Sequence, residues 1–526
     1  MPGSRKKVLW VDDEIEFLRS HIMFLETRGY SVIPVFSGDD AIELLREKRD
    51  DFDIVLLDEQ MPGKDGLTTL VEIKDMLPDL PVVMVTKSEE EQVMEEALGR
   101  KIDGYLTKPV NPSQILSVCK RLLDSKEIIS SQVTQRFVRH YSENRGLLAG
   151  TMSVHDWVRL YDNLTYWDFE LDSVDDEGLR QNHAGQKSDC NVVFGQFLLE
   201  RYPQWIKGES NPPLLAKDVA AAHVRPLLDA GERVCYLVLD CMRLDQFWTM
   251  QSVLRAHFEI ERHSCFSLLP TGTVFSRAAL LSGMLPVDAV QAYPELARRI
   301  DNDDRSMTGR EYDMLVSNFG NQGLDITGSS RFFSVADTSD AHELLTIIKE
   351  ERNLRLLGVV VNFVDMLTQG RSDLSILQEI APDESAYRAL THSWFQYSML
   401  LQILRELAHR GMTVVLTGDH GTTLCSRGAE VYGTKELYPD LRYRFGEKIT
   451  CDERHALFLS SPEHFGLPTP TPDTACVIAK ENYYLTRPGK FAEYHEHYRS
   501  VFNYGGISLE EVIVPVAVMR AKGGPE

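Results

Sequence analysis

The sequence predicts a multidomain α/β protein, and three observations support this fold class. Residues 1–125 alternate short apolar runs with amphipathic stretches, which is the rhythm of a doubly wound parallel sheet. Residues 126–224 show helical apolar periodicity and predict a helical bundle or linker. From residue 225 to residue 526 strands and helices alternate again, and three apolar runs end in an aspartate. We therefore expect three domains in this order.

Composition and charge limit the classes of function. A chain of 526 residues exceeds what one hydrophobic core usually holds. The formal net charge of −23 argues against a binder of duplex DNA, because such proteins contact phosphates through clusters of Lys and Arg. The sequence shows neither an apolar span for a membrane helix nor a secretory signal. Its eight cysteines include no C-x-x-C pair, so we expect a cytoplasmic protein with reduced thiols.

The first predicted domain carries polar side chains at the ends of its strands. Asp12 and Asp13 follow VLWV, Asp58 ends DIVLLD, Thr86 ends PVVMVT, and Lys108 follows GYLT. Carboxylates that converge at one sheet edge need a cation, and oxygen ligands suit Mg²⁺. An aspartate can also accept a phosphoryl group. Solvated strand ends are the alternative, but five such residues in this order favour a phosphorylation site.

With MPG after DEQ, these residues resemble the receiver domain of two-component response regulators, over the full length of residues 1–125. The resemblance implies a flavodoxin-like sheet, a partner sensor histidine kinase and a bound Mg²⁺. It also implies a set of roles: phosphorylation at Asp58, magnesium binding by Asp12, Asp13, Asp58 and the backbone of Gln60, detection of the phosphoryl group by Thr86 and Lys108, and a switch aromatic at Tyr105.

The middle segment predicts helices and no helix-turn-helix. Trp157, Tyr161, Trp167 and Phe169 fall in or near an amphipathic pattern, which favours a bundle core over a ligand cage. Its position suggests a lever between the first domain and the output, and an interaction surface is the alternative.

The third predicted domain again ends its strands in metal-binding residue types. Asp240 ends VCYLVLD, Asp365 ends LGVVVNFVD, and Asp419 with His420 ends MTVVLTGDH. Parallel strands with carboxylates at one edge predict a metal cluster there. Aspartate oxygens combined with an imidazole suit zinc or manganese better than magnesium alone.

Two threonines precede a predicted helix in PTGTVFSRAALLSG. Thr271 and Thr273 would lie where backbone amides and the helix dipole favour anions, and a nearby metal would make either hydroxyl a nucleophile. A helix N-cap is the alternative role for a threonine at this point.

These segments together resemble the alkaline phosphatase superfamily in its PglZ branch, over roughly residues 225–520. VLDCMRLDQ resembles the first metal strand, with Asp240 as ligand. PTGTVFSRAALLSG resembles the nucleophile segment and favours Thr273 over Thr271, GDHG resembles the paired ligands Asp419 and His420, and YGGISLEEVIVPV resembles the C-terminal signature. The resemblance implies an α/β sandwich that binds one or two zinc ions and hydrolyses phosphate esters.

The chain departs from this family at the expected second metal ion. That ion takes an aspartate, here Asp365, a His four residues later, where this chain has Gln369, and a C-terminal His, where it has Tyr504. His495 and His497 lie just upstream of the signature and could replace the missing ligands, or could be surface histidines.

A receiver, a helical middle and a PglZ-type output resemble response regulators linked to the type IX secretion system of Bacteroidota. This combination implies dimerisation on phosphorylation, secretion-system or sigma-factor partners, and phosphodiester hydrolysis, with oligonucleotides as one substrate class. Two hypotheses follow: a phosphorylation-controlled metal-dependent phosphodiesterase, and a phosphorylation-dependent interaction scaffold with a degenerate phosphatase fold.

Overall fold

The computed structural model divides the chain into two compact units, residues 1–138 and 139–526. It describes the chain in these ranges: 6–48, 51–87, 102–174, 176–209, 211–297, 309–351, 353–362, 380–433, 435–436, 441–489, 494–495 and 498–522. The side chains of residues 124–131 and 435–436 are outside this description.

The first unit is built on a five-stranded parallel sheet of order β2-β1-β3-β4-β5. Its strands are β1 Lys6–Val11, β2 Tyr30–Val35, β3 Ile54–Asp58, β4 Val82–Thr86 and β5 Gly104–Thr107. Its helices are α1 Arg19–Glu26, α2 Gly38–Glu47 and α3 Gly66–Met76, and α4 Pro112–Leu148 contains the division between the units. Central strand β3 is buried along its whole length, as expected for a parallel strand covered on both faces.

In the second unit, two long helices precede a six-stranded sheet of order β7-β20-β10-β6-β9-β8. The helices of this unit are α5 Val154–Asp172, α6 Glu177–Lys207, α7 Arg225–Asp229, α8 Leu244–Leu254, α9 Thr273–Ser282, α10 Pro286–Ala292, α11 Glu311–Asn321, α12 Thr338–Glu350, α13 Glu384–Tyr397, α14 Met399–His409 and α15 Leu509–Val512. The strands of the large sheet are β6 Val234–Leu239, β7 Phe258–Phe266, β8 Ser330–Val335, β9 Leu356–Val361, β10 Thr413–Gly418 and β20 Ile513–Ala521.

Shorter strands of this unit form separate, smaller sheets. They are β11 Thr423–Cys425, β12 Arg427–Tyr432, β13 Lys435–Glu436, β14 Tyr443–Glu447, β15 Thr450–Cys451, β16 Ala456–Leu459, β17 Thr474–Ala479, β18 Tyr483–Thr486 and β19 Val501–Asn503. In the large sheet β8, β9, β6 and β10 are parallel, whereas β20 runs antiparallel to both β10 and β7. The carboxyl ends of β10, β6 and β9 therefore meet side by side.

The long helices and the sheet share one hydrophobic core. Trp157 of α5 and Phe194 of α6 are fully buried and belong to the same cluster as Tyr236 of β6 and Val514 of β20. Tyr161 is buried in this cluster, and Trp167 is buried as well. The structure thus joins most of the predicted helical middle to the sheet domain in one compact unit.

In the described part of the chain, no helix taken alone has the length and apolar character of a membrane span. The pair Thr273–Ser282 and Pro286–Ala292 passes that test jointly by length and composition, with a 74° bend between its members.

The mixed α/β fold class is confirmed. The first unit has the parallel sheet expected of a doubly wound domain, the middle is helical, and the output is α/β.

Candidate functional site

At the carboxyl edge of the first sheet, three aspartates come together. Asp12 and Asp13 follow β1 and Asp58 ends β3, and one oxygen of each carboxylate lies within 4.8 Å of the others. Asp12 and Asp58 are buried, whereas Asp13 is exposed. The Nζ of Lys108 lies 2.9 Å from Asp12 Oδ2 and 2.9 Å from Asp58 Oδ2. The edge therefore holds a carboxylate cluster that one lysine partly neutralises.

Burial and charge oppose each other at this edge. Burial raises the pKa of Asp58 above its usual range, although the ammonium group of Lys108 acts against it. The same carboxylates raise the pKa of Lys108 in spite of its partial burial. A divalent cation would relieve the repulsion among the aspartates, and an all-oxygen donor set is what Mg²⁺ prefers.

The remaining predicted residues of the first unit surround this cluster. Thr86 is buried at the end of β4, and its hydroxyl donates to the carboxylate of Glu59. Gln60 is exposed two residues after Asp58. Tyr105 is half-buried on β5 and packs against the core on one face of the sheet.

At the carboxyl edge of the large sheet, Asp240 follows β6 and Asp419 with His420 follows the neighbouring strand β10. All three side chains are buried. His420 Nε2 lies 3.8 Å from Asp240 Oδ1 and 3.9 Å from Asp419 Oδ2. The structure thus brings together Asp240, Asp419 and His420, which are the aspartate and histidine members of the expected first zinc site; its expected fourth member is a threonine hydroxyl. Gly421 must be glycine here, because a Cβ would fall 1.9 Å from the carbonyl oxygen of Glu510.

The imidazole of His420 is held in a defined orientation. Its Nδ1 lies 3.1 Å from the carbonyl oxygen of Gly421, which suits the tautomer that carries the proton on Nδ1. Nε2 is then the unprotonated nitrogen, and it lies beside the carboxylates and the Thr273 hydroxyl. The ring of Tyr504 covers the imidazole, with ring centroids 4.3 Å apart.

A buried arginine of helix α9, Arg277, neutralises both carboxylates. Its Nη2 is ion-paired with Asp240 Oδ2, and its Nε lies 3.3 Å from Asp419 Oδ2. Its Nη1 lies 3.4 Å from Oδ1 of Asn362, the residue that directly follows β9. Burial acts to raise the pKa of Asp240, but Arg277 and His420 hold it below its usual range. Burial and the Asp240 charge raise the pKa of Asp419 to about 6.

The two threonines have different surroundings. Thr273 begins helix α9, and its hydroxyl lies 3.2 Å from His420 Nε2. The Thr271 hydroxyl donates to the carbonyl of Gly506 at 2.9 Å and accepts from the Gly505 amide at 3.1 Å. Thr273 therefore faces the cluster, while Thr271 secures the loop after Tyr504.

The residues expected for a second metal ion are placed only in part. Asp365, Gln369 and His497 lie outside the described residues, and β9 ends at Val361. His495 lies in a helical turn, where its Nδ1 is 2.8 Å from the hydroxyl of Tyr484. Within the described ranges, the groups able to bind a metal are the receiver cluster and a set made of Asp240, Cys241 and His420.

Sequence reasoning missed Arg277, Asn362 and Cys241. Arg277 lies four residues after Thr273 on the predicted helix, so the i, i+4 spacing could have placed both on one face. Asn362 directly follows a predicted buried strand, as Asp240 and Asp419 do. Cys241 directly follows the predicted ligand Asp240 in the sequence.

Comparison with known families matches the whole architecture. Residues 8–120 match the response regulator receiver domain, residues 127–206 the PorX response regulator linker domain, and residues 219–519 the BREX system PglZ alkaline phosphatase-like domain. The fold and sites thus define a response regulator whose receiver is joined to a phosphatase-like output. Because the last match spans more than half of its length, the chain belongs to the PglZ alkaline phosphatase-like family, in a PorX-like fusion with a receiver.

Relatives of known identity cover the receiver part. The transcriptional regulatory protein ResD of Bacillus subtilis is 33% identical over 117 residues, which are 22% of this chain and 48% of ResD. The chain thus spans about half the length of this curated relative. A CheY-like receiver domain from Methanospirillum hungatei is 30% identical, covers 24% of this chain and 98% of its own, and has a TM-score of 0.22. CheY4 of Vibrio cholerae is 28% identical, with coverages of 22% and 98% and a TM-score of 0.21.

The matched families indicate which ions and which partner this kind of protein uses. Receiver domains bind Mg²⁺ and take their phosphoryl group from a partner kinase, and alkaline phosphatase-like domains depend on metal ions. The donor residues of both clusters fit these ions, because the receiver offers oxygens alone while the output offers oxygen, nitrogen and sulfur.

Proposed function

We propose that phosphorylation of Asp58 controls a zinc-dependent phosphodiesterase in the PglZ domain. The observation that carries this proposal is the position of Thr273. Its hydroxyl stands at the start of helix α9 and 3.2 Å from His420 Nε2, beside the buried carboxylates of Asp240 and Asp419. A hydroxyl, a helix N-terminus and metal-binding groups at one point suit attack on a phosphate ester.

In this proposal Thr273 is the nucleophile, and the amides at the start of α9 bind the phosphoryl oxygens. Arg277 lies one helical turn further on, where its guanidinium is paired with Asp240 and Asp419 and would hold these two carboxylates in place. Thr271 positions the loop of Gly505 and Gly506, and it is the second candidate for the nucleophile.

The proposed zinc ligands of the output are Asp240, Asp419 and His420, with Thr273 or Thr271 as the hydroxyl donor. Bound zinc would make this hydroxyl a stronger nucleophile and would supply positive charge for the developing negative charge. For a second ion we propose Asp365, His495 and His497 as donors.

The receiver roles are also proposals. Mg²⁺ would bind to Asp12, Asp13, Asp58 and the backbone of Gln60. The phosphoryl group on Asp58 would draw on Thr86, Lys108 and Tyr105 and shift the population toward a second arrangement. We propose a sensor histidine kinase as the donor and homodimerisation as the response.

The match of residues 127–206 to a PorX linker supports a wider role in type IX secretion. Secretion-system proteins or a sigma factor would then be the partners, and oligonucleotides the substrate class. Strains that carry Asp58→Asn are expected to lose secretion of type IX cargo, as measured in the culture medium. Normal secretion by such strains would remove this role.

Thr273→Val tests the catalytic proposal. Loss of the nucleophile is expected to reduce hydrolysis of a chromogenic phosphodiester by about 100-fold or more at full zinc loading. Thr346→Val, at an exposed threonine whose hydroxyl bonds within its own helix, is the matched control. Hydrolysis that survives both Thr273→Val and Thr271→Val rules out this mechanism.

A second candidate function is a phosphorylation-dependent interaction scaffold. The observation that favours it is Tyr504, whose buried ring packs on His420 at the position where the resemblance implies a histidine ligand. A neutral phenol is a poor zinc ligand. Under this reading, phosphorylation would change dimer or partner contacts equally in wild type and in Thr273→Val. A Thr273→Val chain that phosphorylates and dimerises normally but no longer signals would exclude it.

A further inference from the structure

A further potential metal donor, the thiol of Cys241, lies in the output cluster. Its Sγ is 3.7 Å from Asp240 Oδ1, and the same oxygen is 3.8 Å from His420 Nε2. These donor atoms all lie within 4.8 Å of one another. All three residues are buried, so each needs partners inside the protein.

The backbone explains how two consecutive residues can face one point. Successive side chains of a strand point to opposite faces, but Cys241 lies just past β6 and has the left-handed φ of 64°. Its amide donates to Asp419 Oδ1 at 3.1 Å, and the His420 amide donates to the same oxygen at 2.9 Å. Asp419 thus fixes the two turns that carry the thiol and the imidazole.

The distances approach those of a zinc site. Bonds of about 2.0 Å to oxygen and nitrogen and about 2.3 Å to sulfur place the donors of a tetrahedral zinc about 3.3 to 3.6 Å apart. The two separations given above are slightly larger than this, and the third, between Cys241 Sγ and His420 Nε2, is at most 4.8 Å. The Nδ1 contact of His420 with the Gly421 carbonyl leaves Nε2 as the coordinating nitrogen.

We propose that Cys241 is a zinc ligand beside Asp240 and His420, in the position that the proposed function assigns to Asp419, whose Oδ1 already accepts from the Cys241 and His420 amides. Binding forms a zinc–sulfur bond and releases the thiol proton to solvent. A thiolate selects zinc over the hard cations that oxygen-only sites bind. The inference rests on the proposed function in placing zinc here, but it makes a statement about ligation that does not require turnover.

Cobalt substitution of the full-length chain gives the test. Thiolate ligation produces sulfur-to-cobalt charge-transfer absorption in the near ultraviolet, which oxygen and nitrogen ligands do not. We expect this band in wild type and its loss in Cys241→Ser. Zinc affinity should fall by about 100-fold or more in this variant, since even outer-shell changes cost about 10- to 100-fold. Cys235→Ser is the matched control, because Cys235 is buried on β6, the strand that leads to Cys241, and lies outside the cluster.

X-ray absorption at the zinc edge of the unmodified protein tests the same ligand without any variant, so its result does not depend on whether Cys241→Ser folds. A sulfur shell at about 2.3 Å is expected. A cobalt band retained in Cys241→Ser, or a zinc shell made only of oxygen and nitrogen, overturns the proposal. Hydrolysis by the same wild-type sample is scored separately: a sulfur shell without turnover refutes the phosphodiesterase and leaves the ligand assignment standing.

Discussion

The receiver and the output domain solve the same electrostatic problem with different residues. Each has aspartates at the carboxyl ends of neighbouring parallel strands and one internal cation between them, Lys108 in the receiver and Arg277 in the output. The receiver cluster includes the exposed Asp13 and only oxygen donors. The output cluster is buried throughout and adds an imidazole and a thiol.

This difference shows that exposure and donor chemistry together determine which ion each cluster suits and what can reach it. A partly open oxygen cluster suits Mg²⁺, which keeps several waters, and lets a partner deliver a phosphoryl group. A buried mixed cluster suits zinc and excludes water, so that each charge acts more strongly on a substrate. In the proposed function, the receiver is accordingly the part that a partner modifies, and the output is the part that acts on another molecule.

The largest effect is expected where the receiver meets its phosphoryl donor. Asp58→Asn removes the proposed acceptor, so incubation with acetyl phosphate and Mg²⁺ should yield no phosphorylated chain by mass spectrometry. Asp51→Asn is the control, since Asp51 is exposed and pairs only with Lys7 at 2.8 Å among the ion pairs of the described residues. Phosphorylation of Asp58→Asn to the wild-type extent would move the acceptor elsewhere.

The next effect tests whether Arg277 matches Lys108 as a neutralising cation. Arg277→Gln leaves two buried carboxylates without their guanidinium, and the metal-free protein should lose about 3 to 5 kcal/mol of stability. Zinc should restore much of this loss, because it supplies the missing charge. Thermal unfolding with and without zinc measures both. Arg277→Lys keeps the charge but loses the paired geometry, so its stability without metal should lie between those of wild type and Arg277→Gln.

Equal destabilisation of Arg277→Gln with and without zinc would break the comparison. It would mean that the guanidinium supports the fold rather than the charge balance of a metal site.

A smaller effect concerns a buried charge network that is not part of either carboxylate cluster. Lys187 of α6 lies 3.3 Å from Asp168, 2.8 Å from Glu384 and 3.8 Å from Glu510. Burial acts to raise the pKa of Asp168, but Lys187 and His183 lower it to about 2. A folded pKa below the unfolded value contributes stability that is present above about pH 4 and is lost as the pH falls through about 2.

Lys187→Met should therefore cost about 2 kcal/mol near neutral pH, and the difference from wild type should shrink below about pH 4. Urea unfolding followed by tryptophan fluorescence at about pH 7 and about pH 3 measures it. Lys217→Met, which removes a partly exposed pair with Asp218, should cost less than about 1 kcal/mol. A cost independent of pH would show that lost packing, and not the charge pairing, explains the effect.

The strand-end residues could be predicted because a parallel sheet gathers them by topology alone. Each predicted aspartate follows or ends an apolar run. In the first sheet the strand order places Asp12 beside Asp58, and in the large sheet it places Asp240 beside Asp419. The fold class followed from the same alternation of strands and helices.

Residues that act across the sequence could not be found in this way. Thr271 bonds to Gly505 and Gly506 more than 230 residues away, and only the folded chain shows that this turns its hydroxyl from the cluster. The direction of the Cys241 side chain depends on a left-handed backbone conformation, which an alternating strand pattern does not predict. The joining of helices α5 and α6 to the sheet depends on which apolar faces meet, which periodicity alone leaves open.

Zinc content and hydrolysis, measured on one sample before and after phosphorylation by acetyl phosphate, test the central claim most directly. The account predicts at least one zinc per chain and hydrolysis of a chromogenic phosphodiester that rises on phosphorylation in wild type but not in Asp58→Asn. A zinc-loaded, phosphorylated chain that hydrolyses the substrate no faster than Thr273→Val contradicts it, and the output would then be a phosphorylation-dependent binding surface.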